Sequence, residues 1–103
     1  MADPIQLTLQ FSGGMELLFD NQKSVDVTLP AEYVSGQATM KELIAYVRDN
    51  LLVERPELFV QGDSVRPGIL ILINEADWEL EGELEYVLQN GDTIVFISTL
   101  HGG

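Results

Sequence analysis

Cysteine is absent from this 103-residue sequence, and basic residues are scarce. Without a thiol, the chain forms no disulfide, no thiolate zinc site, no iron–sulfur cluster and no cysteine nucleophile. There are 5 Lys and Arg against 17 Asp and Glu, which gives a formal net charge of −12. Because proteins bind nucleic acids and anionic membranes mainly through basic residues, we expect this chain to bind neither directly. A basic groove on a protein partner is its natural electrostatic complement.

Long apolar runs are also missing from the sequence. No segment approaches the roughly 20 apolar residues of a membrane-spanning helix, and the first residues lack the apolar stretch of a signal peptide. We therefore expect a cytoplasmic location. An apolar share of 46% with 21% charged residues is typical of a folded globular chain. The length fits one domain.

The first thirty residues have the pattern of β-structure. Apolar and polar residues alternate from Ile5 to Phe11, which predicts a strand with one apolar face. The Gly13-Gly14 pair interrupts this pattern, and we expect a hairpin turn into a second strand over Met15–Phe19. Extended structure should resume at Val25–Leu29 and end at Pro30.

A helix is predicted after Thr39. Thr39 and Glu42 have the spacing of a capping box, in which each side chain bonds the backbone of the other residue. The apolar residues that follow recur at helical spacing and form one stripe, which we interpret as core: Met40, Leu43, Ile44, Val47 and Leu51.

Two short apolar runs, Ile69–Ile73 and Ile94–Ile97, are rich in β-branched residues and predict strands buried on both faces. Residues 62–68 are predicted to be a loop, and residues 75–92 an acidic, irregular segment. A hairpin, one helix and a final strand in the sheet centre form an α+β fold of the β-grasp (ubiquitin-like) type, a mixed sheet wrapped around one main helix.

Motifs of catalysis and metal binding are incomplete. The Gly62-x-Ser64-x-Arg66 segment lacks the last glycine of a nucleophile elbow. A calcium loop beginning at Asp77 would need a bidentate Glu where Leu88 stands. We therefore predict that the chain is not an enzyme, has no catalytic residue of its own, and binds no metal or cofactor itself.

The last five residues, Thr99-Leu100-His101-Gly102-Gly103, follow the final predicted strand. We interpret residues 1–98 as the folded domain and residues 99–103 as a flexible tail. Five extended residues span about 17 Å, enough to thread a carboxylate into a partner's pocket. Glycines suit a narrow channel because they lack Cβ, although a terminal glycine pair alone is also typical of a frayed end. His101 is either read by a partner or is simply a mobile tail residue.

A carboxylate becomes a good electrophile only when its oxygen is made a leaving group. An ATP-dependent partner would achieve this by forming an acyl-adenylate at Gly103, which a sulfur or amine nucleophile would then attack. In this hypothesis all catalytic groups lie on the partner, and the chain supplies only its terminal carboxylate.

Three long segments carry a family resemblance: ERPELF (54–59), GDSVRPGILILINEADWELEGELEY (62–86) and FISTLHGG (96–103). They resemble the eukaryotic ubiquitin-related modifier family, sulfur carriers related to the small subunit of molybdopterin synthase and to the sulfur carrier of thiamine biosynthesis. The similarity covers the whole chain, and it is least diagnostic over residues 1–4 and 21–38.

The resemblance implies a modifier whose Gly103 is adenylated and converted to a thiocarboxylate. The implied partners are an activating enzyme with adenylation and rhodanese domains, which uses ATP, a tRNA thiolase complex that modifies the wobble uridine, and lysines of target proteins. The tail read by the activating enzyme would be Thr99, Leu100, His101 and Gly102. Ile97 is predicted to contact that enzyme beside the tail, with burial in the core as its alternative. A non-covalent ubiquitin-like binding module remains the alternative for the whole chain.

Overall fold

The computed structural model describes residues 4–30, 33 and 37–98. Its helix and strands are β1 (Ile5–Ser12), β2 (Ser24–Leu29), α1 (Met40–Asn50), β3 (Val60–Gln61), β4 (Ser64–Val65), β5 (Ile69–Ile73), β6 (Ala76–Asp77) and β7 (Thr93–Ser98). Short 3₁₀ helices connect them at Met15–Phe19, Pro56–Leu58, Trp78–Leu80 and Glu83–Glu85.

Five strands form one mixed sheet in the order β2-β1-β7-β5-β6. The β1–β7 pair is parallel, whereas β1–β2, β5–β7 and β5–β6 are antiparallel. The final strand is therefore central, as predicted, and it is hydrogen-bonded on both sides. A separate two-stranded hairpin pairs β3 with β4.

The helix α1 covers one face of this sheet. It begins with the predicted capping box, in which the Thr39 backbone N–H donates to Glu42 Oε1 at 3.2 Å and the Thr39 hydroxyl donates to the same oxygen at 2.9 Å. Four of the five stripe residues are buried: Met40, Leu43, Ile44 and Val47. Leu51 is half-buried just beyond the helix. The helical stripe is thus confirmed as core.

Four phenylalanines occupy the core at one end of the sheet. The ring of Phe11 stacks on Phe19 at 4.0 Å and lies 5.6 Å from Phe96. Phe59 meets Phe19 edge-on at 5.2 Å and lies 5.7 Å from Phe96. The cluster joins the two central strands to the 3₁₀ helix at 15–19 and to the segment before β3. Through Phe96 the cluster also supports the end of β7.

The predicted strand over Met15–Phe19 is wrong, because this segment is a 3₁₀ helix. Gly13 and Gly14 both have positive φ, at 67° and 97°, and turn the chain out of the sheet. The buried residues Met15, Leu18 and Phe19 have helical rather than alternate spacing. The strand that pairs with β1 begins only at Ser24.

The prediction that the last two apolar runs are buried on both faces is also wrong. In β5 the isoleucines at 69, 71 and 73 are buried, while Leu70 and Leu72 are half-buried. In β7 Ile94 and Phe96 are buried and the residues between and after them are half-buried. Both strands have one core face and one apolar outer face, which is why periodicity did not separate the faces. The predicted loop over 62–68 contains β4, which Gly62 turns into a hairpin with φ of 62°.

Asp92 is the one buried charged residue in the described part of the chain, with 5% exposure. Its carboxylate accepts hydrogen bonds from Tyr86 Oη at 2.7 Å, Asn74 Nδ2 at 2.8 Å and the Gln89 backbone N–H at 2.9 Å. Burial, together with the hydrogen bond and charge of Asp92, raises the pKa of Tyr86 to about 12. These hydrogen bonds connect the acidic segment, through Tyr86 and Gln89, to the residue that precedes β7.

Replacing this carboxylate, Asp92→Ala, is expected to lower the free energy of unfolding by about 2–3 kcal/mol, because three donors lose their acceptor. Urea titration measures the loss. The exposed Asp26, whose carboxylate accepts only from Thr8 Oγ1 among the described residues, gives the control. Asp26→Ala should change stability by less than about 0.5 kcal/mol. Equal losses in the two variants contradict the role assigned to the Asp92 cluster.

Candidate functional site

The predicted reactive tail, Thr99 to Gly103, lies outside the described residues, so the structure defines the site at the base of the tail. The last described residue, Ser98, ends the central strand and pairs with Ile69 of β5. On the other side, Ile97 pairs with Ser12 of β1. Neighbouring strands thus hold both edges of β7 almost to its final residue. The tail starts from a well-supported position in the sheet.

Gly13 packs directly against this base. A Cβ built on Gly13 would collide with the Ser98 carbonyl oxygen and lie 3.2 Å from Ile97 Cγ2. Its φ of 67° also favours glycine. Sequence reasoning treated Gly13 only as a turn residue, because a contact with a residue 85 positions later leaves no local signal.

Gly13→Ala is expected to destabilise the domain more than Gly14→Ala. Both positions have positive φ, so each alanine carries backbone strain of about 1 kcal/mol. A Cβ on Gly14 meets nothing within 4 Å, whereas one on Gly13 must displace Ser98. The midpoints of urea unfolding measure the difference, which we expect to be about 1–3 kcal/mol. Equal midpoints contradict the close packing at the base of the tail.

Ile97 lies on the outer face of the sheet, opposite to α1. It is half-buried and follows Phe96, whose side chain is in the core, so the alternation along β7 places the two side chains on opposite faces. Its cross-strand partner is Leu70, and Val95 pairs with Leu72 in the same way. Core burial of Ile97 is therefore wrong. Its contact with an activating enzyme stays a prediction, and its three apolar neighbours were missed by sequence reasoning.

A cleft of about 540 Å³ opens beside the base of the tail. Its lining includes Gly13 and Ser98 on one side, the apolar side chains of Leu17 and Leu58, and two basic residues, Arg55 and Arg66. We call it the tail-base cleft. No local sequence pattern indicates this cleft, because its walls come from four separate segments of the chain.

The acidic segment around Trp78 is organised by local hydrogen bonds. Asp77 Oδ1 accepts the Glu79 backbone N–H at 2.9 Å and caps a 3₁₀ helix. Trp78 is buried, with 6% exposure, whereas Leu80 is 80% exposed. In the described part of the chain, no three His, Asp or Glu side chains come close enough to hold a metal ion.

None of the helices that the structure describes is long and apolar enough to cross a membrane.

The geometry of the sheet and the sequence are both matched among known proteins. The family model "Urm1 (Ubiquitin related modifier)" matches residues 6–103. The chain belongs to the ubiquitin-related modifier family. Among curated relatives in that family, the human ubiquitin-related modifier 1 is 57% identical over 103 residues, covering 100% of both chains. The resemblance stated from the sequence is thereby confirmed.

Solved structures of family members and more distant proteins have the same fold. The solution structure of the family member from Trypanosoma brucei is 42% identical, covers 100% of both chains and superposes with a TM-score of 0.79. A chain of the BexX/CysO complex from Amycolatopsis orientalis is 22% identical over 94% of this chain and 99% of its own, with a TM-score of 0.68. This second likeness is one of fold alone. The predicted β-grasp fold with one main helix is confirmed.

Proposed function

We propose that this family member is a sulfur carrier for the 2-thiolation of wobble uridine in tRNA, and that it is also joined covalently to lysines of target proteins. Both activities use the carboxyl group of Gly103. The match that runs to residue 103 is the observation that carries the proposal, since the terminal glycine is included in the family model. The chain itself provides no catalysis. The working compartment is the cytoplasm, where transfer RNA is modified.

The chemistry begins with attack of the Gly103 carboxylate on the α-phosphate of ATP in the activating enzyme, which releases pyrophosphate and forms an acyl-adenylate. The outer sulfur of a persulfide on the rhodanese domain then attacks the carbonyl, and AMP leaves. A second thiol then attacks the rhodanese sulfur of the resulting acyl disulfide, which joins these two sulfurs in a disulfide and releases the thiocarboxylate on Gly103. A thiolase complex takes up this sulfur for tRNA. If a lysine amine receives the activated acyl group instead, an isopeptide bond forms.

The base of the tail supports this role, because Ser98 ends the central strand and pairs with Ile69. Residues 1–98 serve as the folded domain and residues 99–103 as the segment that enters the partner. Five extended residues span about 17 Å, so the carboxyl group reaches a buried pocket while the sheet stays outside. Thr99, Leu100, His101 and Gly102 are the residues that we propose the activating enzyme reads. Ile97 and its neighbours on the outer sheet face form the adjoining contact surface.

Cells provide the test of sulfur carriage. In cells that lack their own family member, the full chain is expected to restore 2-thiouridine in tRNA, measured by mass spectrometry of digested nucleosides. A chain without Gly103 should restore none, although it accumulates to the same level. Restoration by the shortened chain rules out carriage through Gly103.

Conjugation is tested separately from sulfur transfer. Denaturing gels of cells under oxidative stress should show protein adducts of the tagged full chain, and these should disappear when Gly103 is deleted. Adducts that persist without Gly103 are not linked through the tail.

A non-covalent ubiquitin-like binding module is the second candidate. The apolar outer face of the sheet, formed by Leu70, Leu72, Val95 and Ile97, favours it because apolar surface on an exposed sheet is typical of protein contacts. Such a module works without a terminal carboxylate. Full activity of the chain without Gly103 in both cell tests supports this alternative.

A further inference from the structure

Exposed apolar side chains gather at the tail-base cleft. In the described part of the chain, the large apolar residues with the greatest exposure are Leu17 at 59%, Val53 at 62% and Leu80 at 80%. Leu17 lines the cleft, and Val53 adjoins it, since its backbone N–H donates to the Leu18 carbonyl at 3.0 Å. Two of these three residues therefore expose apolar surface beside the tail, which is typical of a binding surface.

The charge of the cleft differs from that of the whole molecule. Arg55 and Arg66 are two of only 5 basic residues in a chain with a net charge of −12. Glu54 is the acidic residue in the lining. Among the described residues, Arg55 Nε forms one ion pair, with Glu57 Oε2 at 3.9 Å, and both side chains are mostly exposed. The contact is therefore weak and easily replaced.

Arg66 takes part in none of the ion pairs among the described residues. The described ion pairs are Lys41–Asp63, Arg48–Asp49 and Arg55–Glu57. The guanidinium of Arg66 thus has no carboxylate partner among the described residues, although its backbone is fixed by a hydrogen bond from its N–H to the Phe59 carbonyl at 2.9 Å. Its planar guanidinium suits a two-point contact with a carboxylate.

We propose that the tail-base cleft docks an acidic segment with one apolar side chain, carried by the protein that takes up the tail. The apolar side chain would pack on Leu17 and Leu58, and a carboxylate would bind Arg66. A short peptide segment fits better than a nucleic acid, because a long polyanion would also meet the surrounding carboxylates. The inference rests on the proposed function for the identity of the partner, since Ser98, the residue that precedes the tail, lines the cleft.

Docking here would hold the folded domain on the partner and would take no part in the reaction of the tail. A basic surface on the partner would attract the acidic domain as a whole, while one locally opposite charge pair selects a single orientation. Loss of the contact should therefore weaken binding of the chain and leave the reaction of the bound tail intact. In kinetic terms, KM rises and kcat stays constant.

The experiment measures ATP-dependent adenylation of the full chain by the activating enzyme, as pyrophosphate release at varied chain concentration. Arg66→Glu is expected to raise KM about tenfold or more, with kcat within about twofold of wild type. Arg48→Glu makes the same change of charge on α1, away from the cleft lining, and should leave KM nearly unchanged. Leu17→Ala should raise KM about fivefold, whereas Leu80→Ala, at an exposed leucine outside the cleft lining, should not. Circular dichroism checks that each variant is folded.

Equal KM values for Arg66→Glu and Arg48→Glu overturn the proposal, as does a lower KM for Arg66→Glu, which would mean that the cleft holds the chain's own tail. Dimerisation that Arg66→Glu abolishes, seen by sedimentation, would assign the cleft to a second copy and also overturn it. The chain without Gly103 distinguishes failure of the proposed function from failure of the docking inference.

If the chain without Gly103 is adenylated like wild type, the proposed function fails. If the chain without Gly103 is inactive while the Arg66→Glu variant keeps the wild-type KM, only the docking inference fails.

Discussion

Phe96→Ala is expected to lower the free energy of unfolding by about 3–5 kcal/mol. Phe96 is fully buried on the central strand, and its ring contacts Phe11 and Phe59 at centroid distances of 5.6 and 5.7 Å. Removing the ring leaves a cavity between strand and loop that the surrounding side chains fill only in part. Since small domains have about 5–15 kcal/mol of total stability, much of the fold's stability depends on this one side chain.

Equilibrium unfolding in urea measures this loss, and the neighbouring residue supplies the control. Val95 lies on the same strand but is half-buried on the outer face. Val95→Ala should therefore cost about 1 kcal/mol or less. If the two variants unfold at the same urea concentration, the assignment of inner and outer faces to β7 is wrong.

Removal of Gly103 is expected to abolish activation of the tail without destabilising the domain. Shortening the chain by one residue withdraws the carboxyl group by about 3.5 Å. A misplacement of about 1 Å at a reacting centre already costs about 100-fold in rate, so activity should fall by at least that factor. Residue 103 follows the last strand by five positions, and the buried core that the structure describes runs from Leu7 to Phe96. The urea midpoint should therefore match that of the full chain.

A variant with one alanine added after Gly103 tests whether the position of the carboxyl group matters, rather than the presence of a terminal carboxylate. It restores a terminal carboxylate but moves it by one residue in the other direction, and it introduces a Cβ at the end of the narrow channel. We expect the same loss of activation and the same urea midpoint. Activation of either variant at the wild-type rate contradicts a reaction at Gly103, whereas a lowered midpoint contradicts the separation of tail and domain.

The elements that the sequence predicted are those with a strong and unambiguous period. The alternation in β1, the capping box of Thr39 and Glu42, and the helical stripe of α1 each have one physical interpretation, and all three are confirmed. Met15–Phe19 was misassigned because a hairpin was expected after the Gly13-Gly14 pair. Three of its four apolar residues are buried at helical spacing, but Leu17 is exposed, so the apolar pattern alone did not separate a helix from a strand.

The outer face of the sheet was harder to predict than the core. In β5 and β7 apolar residues occupy both faces, so the run of five in Ile69–Ile73 has no polar position to mark the open side. An apolar residue selected for contact with another protein and one selected for the core are the same in sequence. Only the strand order, with α1 on one side, separates them.

The site at the base of the tail could not be predicted from the sequence, because it is built from contacts between residues far apart in the chain. Gly13 contacts Ser98, and the tail-base cleft combines Leu17 with Arg55 and Arg66. Nothing in the local pattern around any of these residues indicates the others. The reactive tail, in contrast, was predicted from its residues and its resemblance to a family, and the family itself is confirmed by the match over residues 6–103.

The central claim, that Gly103 carries the activated carboxyl group, is tested most directly by mass spectrometry of the full chain after incubation with the activating enzyme, ATP and a sulfur donor. We predict an intact mass that increases by the difference between one sulfur and one oxygen atom, with fragmentation placing the sulfur on residue 103. An unchanged mass in the presence of active enzyme, or sulfur located on any other residue, contradicts the account.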